Sequence, residues 1–339
     1  MPEVSVVMPV YNVVNYIRAA IDSIINQSFT DWELILVDDC SDDGTLDILR
    51  EYADSRNNIR LIENNCNSGG CRMPRFDGIL AANGKFVCPI DGDDTIEPDY
   101  LQKQLLRQQQ TDADMVLSKL IFCNADNFIT GKTIPESGFD TSVILGGREV
   151  CRNTIGKWRI SISGCIVRRT LYQAYITRSY NNFSDYTCAD EMDYRRLVLD
   201  MPRVAFTDAK YYYRRPTHSI LNDISPRYYT VTAALRELSV FTKQEFGKDE
   251  EVMAEMMYGY IDSMYRMAGR YLYCRADYKS SERKYIKSLI ASELKWMRKD
   301  EIHPCTIKHR LLMSCPVCFW AIVFAASAYT KVRNKLKLK

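Results

Sequence analysis

From Val4 to Ile90 the chain alternates short apolar runs with segments whose apolar residues recur at helical spacing. Val4 to Met8 is a near-continuous run. Val14, Ile17, Ile21, Ile24 and Ile25 then share one helical face, and Leu34 to Val37 is again a run. A continuous apolar stretch suits a buried strand and a 3.6-residue period suits an amphipathic helix, so the pattern predicts strand, helix, strand. Leu46, Leu49 and Tyr52 predict a second helix and Ile59 to Ile62 a third strand, after which a turn-rich segment leads to a fourth strand at Phe86 to Ile90. Repeated crossovers of this kind imply an α/β fold with a mainly parallel sheet and helices on both faces.

Met115 to Phe122 predicts a further strand, and the polar, Gly-containing stretch from Asn124 to Gly147 a hairpin or loop insertion. From about Tyr228 to Met297 the pattern changes. Tyr, Met and Leu recur between charges with little Pro or Gly, which predicts several amphipathic helices. The change falls near Ser225-Pro226 and divides the chain into a sheet-bearing domain over 1–225, a helical region over 226–310 and a tail over 311–339. In the tail, Leu311 to Tyr329 is apolar apart from small polar residues. Lys308, His309 and Arg310 precede it, and Lys331, Arg333, Lys335, Lys337 and Lys339 follow. A spanning helix needs about 20 apolar residues, and Ser314, Pro316 and Ser327 interrupt this one. Basic flanks at both ends suit a helix lying in the plane of an anionic lipid surface; packing onto the globule and a true span are the alternatives.

Composition adds limits. At 339 residues there is ample material for a buried core, and a formal net charge of +2 offers no argument for nucleic acid as a partner. Twelve Cys, in a chain whose Met-Pro-Glu start runs directly into Val-Ser-Val-Val-Met, predict free thiols in a reducing cytosol. Cys315-Pro-Val-Cys318 has the spacing of a redox or zinc pair but lies in an apolar stretch without a second ligand pair.

The chemistry concentrates at strand ends. Phe86 to Ile90 delivers Asp91-Gly92-Asp93-Asp94 into a turn, and Glu33 to Val37 delivers Asp38-Asp39-Cys40-Ser41-Asp42-Asp43-Gly44. Ligands of open α/β sheets bind at that carboxyl edge, and acids forced together there repel unless a cation or proton intervenes. Carboxylates suit Mg²⁺ or Mn²⁺, which take their remaining ligands from water and a substrate's phosphates. Asn67-Ser68-Gly69-Gly70-Cys71-Arg72-Met73-Pro74-Arg75 offers a Gly-rich turn with two cations, suited to a phosphate. Neither Gly-x-Gly-x-x-Gly after the first strand nor a P-loop motif is present, which removes the main support for dehydrogenase and P-loop readings.

With these motifs in order, the chain resembles glycosyltransferase family 2, the inverting nucleotide-sugar transferases of GT-A fold. The similarity rests on Val4 to Asn12, Val37 to Asp43, Asn67 to Gly70 with Arg75 and Gly78, and Asp91 to Asp94 followed by Pro98-Asp99-Tyr100-Leu101. It covers about residues 3 to 220. The resemblance implies that Pro9 and Tyr11 border the base, that Asp39 accepts a uracil-type N–H while Asp38 supports its loop, and that Gly70 and Arg75 approach the nucleotide or its diphosphate. It implies Asp93 as direct ligand of Mn²⁺ or Mg²⁺, with Asp91 between the metal shell and the ribose. The position after Arg75, usually Asn in the family, is Phe76.

Cys188-Ala189-Asp190-Glu191 resembles the family's Glu-Asp motif with Ala189 in place of the Glu, which makes Asp190 the candidate base, or Glu191 if the register slips by one. An inverting transfer needs a carboxylate that takes the acceptor hydroxyl's proton. Lys210 to Ile220 resembles a Tyr-Arg-x-His-x-x-Ser element in which Arg214 or Arg215 faces the leaving diphosphate. The expected His position is Pro216, with His218 two residues later as the remaining candidate metal ligand. The resemblance thus implies a metal-dependent, non-processive transfer of a hexose or aminohexose from a UDP-sugar to a saccharide or lipid-linked acceptor in surface-polysaccharide synthesis, at the cytoplasmic face of the membrane. A processive polymerase is disfavoured because Gln-x-x-Arg-Trp is absent. A non-catalytic nucleotide-sugar-binding subunit and a sugar nucleotidyltransferase are the contrasting readings.

Overall fold

A computed structural model of the chain describes residues 1–124, 128–135, 140–155, 164–179, 188–214, 225–299 and 317–325. They divide into two compact units. The first comprises the described residues of Met1–Thr154, Trp158–Asp185 and Ala189–Thr217; the second takes those of His218–Lys339 with the short stretches Ile155–Lys157 and Tyr186–Cys188.

The first unit is built on β1 (Val4–Val10), β2 (Trp32–Asp38), β3 (Ile59–Glu63) and β4 (Phe86–Pro89), joined through α1 (Ile17–Ile25), α2 (Thr45–Ser55) and α3 (Arg72–Ala81). Every residue of β1 and β2 is buried, as their unbroken apolar runs require of strands covered on both faces. β1 pairs in parallel with β2 on one side and β4 on the other, and β2 pairs in parallel with β3. The order β3-β2-β1-β4 reverses direction at β1. That is the topological switch point, and it is outside the carboxyl ends of such strands that open α/β sheets take their ligands.

The rest of the unit contains β5 (Thr95–Ile96), α4 (Tyr100–Thr111), β6 (Met115–Cys123), β7 (Ile129–Ile134), β8 (Ile144–Leu145), α5 (Gly147–Thr154), β9 (Ile166–Arg168), α6 (Arg169–Ser179), α7 (Ala189–Leu199) and β10 (Val204–Arg214). β6 and β7 form the expected hairpin. β9 runs antiparallel to both β4 and β6, β5 and β8 run antiparallel to β10, and β10 is parallel to β6. The parallel character read from the first four strands therefore gives way to a mixed sheet beyond them. Of the added strands, β5, β8 and β9 are only two or three residues long, too short to announce their direction in sequence.

The turn-rich segment before Phe86 contains a helix, α3, that its Pro74 and Gly78 concealed. Pro74 is the third residue of the helix, where its missing N–H would have had no intrahelical partner. Gly78 faces the sheet so closely that an added Cβ would lie 2.4 Å from Val7 Cγ1 and 3.0 Å from Val37 Cγ2. A side chain there would push α3 off β1 and β2, so Gly is required for approach rather than for a turn.

In the second unit a 3-10 turn, Pro226–Thr230, leads into α8 (Val231–Phe246), α9 (Glu250–Cys274) and α10 (Ser280–Lys299). Asp249 caps α9 by accepting from the Val252 N–H at 3.2 Å. Buried Glu293 on α10 joins all three helices, accepting from Arg236 of α8 at 2.7 Å and from the Tyr260 hydroxyl of α9. Residues 317–325 are helical, with Phe319 and Val323 buried and Val317 and Phe324 exposed. The remainder of the apolar, basic tail lies outside the described residues, among which no helix is long and apolar enough to cross a membrane.

Candidate active site

The strand ends at the switch point collect most of the residues singled out in sequence. Pro9 is the penultimate residue of β1, and Tyr11 follows the strand at 48% exposure. Asn12 adopts a left-handed φ of 50° and locks the loop after β1 to the loop after β2: its Nδ2 donates to Asp42 Oδ1 at 2.8 Å, and the Asp42 N–H donates to Asn12 Oδ1 at 2.9 Å. Asp43 accepts from the Val14 N–H and from both Thr45 N–H and hydroxyl. Although burial opposes its charge, these donors hold the Asp43 carboxyl below the usual range.

Asp38 and Asp39 are both buried. Asp38 Oδ2 accepts from the Ser41 N–H at 3.0 Å, which gives it the loop-supporting contact expected of it, while its Oδ1 has no partner among the described residues. Asp39 is fully engaged: Ser68 donates through its N–H at 3.0 Å and its hydroxyl at 2.9 Å, and Asn64 through Nδ2 at 3.2 Å. Ser68 Oγ also contacts the Gly70 carbonyl at 3.0 Å, so the Gly-rich turn is folded against the end of β2.

The turn after β4 is different. Asp94 is fully buried, accepting from the Tyr211 hydroxyl at 2.7 Å and from the Arg214 N–H at 2.7 Å, and the Tyr211 hydroxyl in turn accepts from the Asp91 N–H at 3.2 Å. The acid without an expected role is thus the anchor of the turn. Burial and then the neighbouring Asp93 and Asp91 push the Asp94 carboxyl well above its ordinary range. Asp91 and Asp93 remain partly exposed. Burial and then Asp91 raise Asp93 to about 7. A carboxylate so placed favours a proton or a cation beside it. No group of three or more potential ligands forms among the described residues; two neighbouring carboxylates are the kind of oxygen donors that hard divalent ions take. His218 and Arg215 lie outside the described residues.

Arg75, on α3, connects this turn to α7. Its Nη2 donates to Asp91 Oδ1 at 2.8 Å and its Nη1 lies 3.7 Å from Asp190 Oδ2. The guanidinium is buried, lies 5.8 Å from the Tyr194 ring centroid, and leaves Nε without a partner among the described residues. Phe76, in the family's usual Asn position, is buried edge-on against Tyr175 at 6.5 Å. Asp190 and Glu191 occupy the first turn of α7, where acids are favoured by the helix dipole. Glu191 pairs with Arg195 at 3.3 Å; burial raises it, Arg195 opposes, Asp190 adds to the rise, and it settles at about 7. Arg214 stacks over the Tyr16 ring at 4.9 Å.

Arg72, which the sequence offers as a second phosphate cation, is committed elsewhere. It is buried in an ion pair with Asp193 at 2.6 Å. Tyr211 and Asp193 are contributors that sequence reasoning missed, and Ser68 and Arg72 were read only as parts of a phosphate-binding turn. Only the matched spacing of Arg72/Arg75 and Asp190/Asp193, three residues in each case, could have signalled two facing helices.

Comparison with known proteins bears on the family and the fold. The profile for glycosyl transferase family 2 matches residues 5–176, half of the chain. A poly(ribitol-phosphate) beta-glucosyltransferase of Bacillus spizizenii is 37% identical over 139 residues, covering 40% of this chain and 21% of that relative. Glycosyltransferase GlyG of Streptococcus pneumoniae is 26% identical over 226 residues, 64% of this chain and 72% of that protein. Among solved structures, Staphylococcus aureus TarS 1-349 in complex with UDP-GlcNAc superposes with a TM-score of 0.67 at 20% identity, over 98% of this chain and 92% of that one. A mannosyltransferase of Pyrobaculum calidifontis with GDP-Man and Mn²⁺ gives 0.52 at 14% identity, over 98% of this chain and 88% of the other. Matches to the leading curated relatives span 21% to 41% of their lengths.

Proposed function

The chain belongs to glycosyltransferase family 2, and from that premise we propose that it transfers a hexose or aminohexose, with inversion, from a UDP-sugar to a saccharide or lipid-linked acceptor in cell-surface polymer synthesis. The single observation that carries this reading is Arg75, buried and shared between the Asp91 turn and Asp190. One cation there faces both the diphosphate end of a donor and the group that deprotonates an acceptor.

In this reading the base lies against the exposed Tyr11 and the end of β2, where Asp39 accepts from its N–H. Asp93 and Asp91 would hold a divalent cation, whose charge would offset that developing on the leaving diphosphate. Arg75 and Arg214 supply fixed positive charge beside it, and a preorganised cation needs no reorientation as charge develops. Asp190, a third exposed, takes the proton of the attacking hydroxyl as that oxygen approaches the anomeric carbon opposite the diphosphate. Support for UDP comes from the TarS complexes with UDP and UDP-GlcNAc, and support for Mn²⁺ from the mannosyltransferase complex. The relatives named for poly(ribitol-phosphate) glycosylation support a surface polymer as acceptor. The basic flanks of the tail, with exposed Val317 and Phe324 on its helical part, support contact with an anionic lipid surface on the cytoplasmic side.

The test pairs binding with turnover. A panel of UDP-, GDP- and dTDP-sugars with Mn²⁺ is read by thermal shift, since a bound donor stabilises by mass action. Asp190→Asn keeps the UDP-sugar shift and loses transfer. An unchanged rate in that variant would move the base elsewhere, and no shift with any donor would refute the reading.

A further inference from the structure

Helices α3 and α7 face each other through two successive Arg–Asp contacts, one turn apart. The outer contact is Arg75 with Asp190; the inner is Arg72 with Asp193. The two differ in burial and in fit. Arg75 Nη1 is 3.7 Å from an Asp190 that is 33% exposed, whereas Arg72 and Asp193 are each 3% exposed. Arg72 Nε donates to Asp193 Oδ2 at 2.6 Å and Nη2 to Oδ1 at 3.1 Å, a two-pronged fork. Nη2 also donates to the Ala189 carbonyl at 2.9 Å, at the first residue of α7, and the Tyr175 hydroxyl of α6 donates to Asp193 Oδ1 at 2.9 Å. Three helices therefore converge on one carboxylate directly beneath the proposed base.

We infer that Arg72 and Asp193 are positioning residues: this buried pair fixes the start of α7 against α3 and so sets the place of Asp190 relative to Arg75 and the donor turn. Neither is a catalytic residue, and the inference rests on the functional reading above. Packing alone would hold two helices together. A fork that also grips the Ala189 carbonyl fixes register, because a slide of either helix breaks several directed bonds at once. The outer contact is too long and too exposed to do this itself.

Replacing one partner strands a buried charge, so the informative variant is Arg72→Met with Asp193→Leu, which keeps an apolar contact while removing direction. UDP affinity with Mn²⁺ is measured by calorimetry, and turnover by UDP release from UDP-GlcNAc and UDP-glucose with water as acceptor. UDP affinity stays within twofold, while hydrolytic kcat falls about 100-fold, the loss expected when a reacting group is displaced by about 1 Å. Tyr175→Phe, which removes one hydrogen bond and no charge, gives a smaller fall in kcat at the same affinity and covers the case in which the double variant does not fold. Wild-type kcat in both variants, or a parallel loss of affinity and kcat, would show a scaffold role alone and overturn the inference. A wild-type protein that neither binds UDP with Mn²⁺ nor releases UDP would overturn the functional reading and this role with it.

Discussion

Two strand ends of this sheet carry runs of aspartate, and they resolve the same electrostatic problem in opposite ways. At the end of β2, acids are met by protein donors: Asp39 by Ser68 and Asn64, Asp42 by Asn12, Asp43 by Thr45 and Val14. At the end of β4 Asp94 is met in this way through Tyr211 and Arg214, and Asp91 in part through Arg75. Asp91 has one cation, Arg75, and Asp93 is raised to about 7 by burial and by Asp91. A satisfied edge is a shaped wall, whereas an edge with charge left over is a place for a cation. Local composition is almost the same in the two turns, so the difference lies in which donors the fold brings to them.

The largest effect should come from the unsatisfied edge. Asp93→Ala should reduce Mn²⁺-dependent turnover of a UDP-sugar by about a thousandfold, the scale of the several kcal/mol that a bound cation's charge contributes. The melting temperature of the apo protein should hold or rise, because a crowded acid has been removed. Activity close to wild type would collapse the distinction between the two edges.

Asp94→Ala attacks the anchor instead. It leaves the Tyr211 hydroxyl and the Arg214 N–H without their acceptor in a buried place, at an expected cost of about 3 kcal/mol to folding. Urea denaturation reads this directly, and a variant as stable as wild type would show that the turn holds its shape without it.

These contrasts bear on what could be read in the sequence. The crossovers through β1, β2 and β4 were legible because their apolar runs are buried along their whole length, and so were the acidic ends, because turn residues break those runs visibly. α3 was not, since Pro74 and Gly78 are breakers in general and become acceptable only through the first turn of the helix and the contact with Val7 and Val37. Arg72 read as a phosphate ligand because local sequence cannot show a partner more than a hundred residues away; its separation from Asp193 is 121. Tyr211 was missed for the same reason, being 117 residues from Asp94. Long-range polar pairing, unlike periodicity, leaves no local trace.

A smaller effect is expected at the satisfied edge. Ser68→Ala removes the hydroxyl from Asp39 but leaves the Ser68 N–H and Asn64 in place, so stability should fall by about 1 kcal/mol. The KM for a UDP-sugar should change less than about tenfold, since stacking and the remaining hydrogen bonds still hold the base. A loss as large as that of Asp93→Ala would mean that this edge, too, depends on a marginal balance.

The finest discrimination lies between the two edges, at Glu191. It is raised to about 7 first by burial, with Arg195 opposing and Asp190 adding to the rise, so it combines the crowding of the β4 turn with a protein cation of the β2 kind. Its ordinary value is 4.5. Between that value and about 7 the folded chain holds a proton that the unfolded chain has released, and stability therefore declines as pH rises through this window and levels off above it. Glu191→Gln removes the titration while its amide oxygen can still accept from Arg195. Measured as the melting temperature of the variant minus that of wild type, the difference should grow from pH 5 to pH 8; a constant difference would place Glu191 with the satisfied acids. The same variant separates the neighbours chemically. With Asp190 as base, Glu191→Gln should change turnover by less than about tenfold and chiefly above pH 7, where wild type carries the extra negative charge. Loss of all turnover would instead shift the proton-accepting role from Asp190 to Glu191 and make the raised carboxyl, rather than the one beside Arg75, the base.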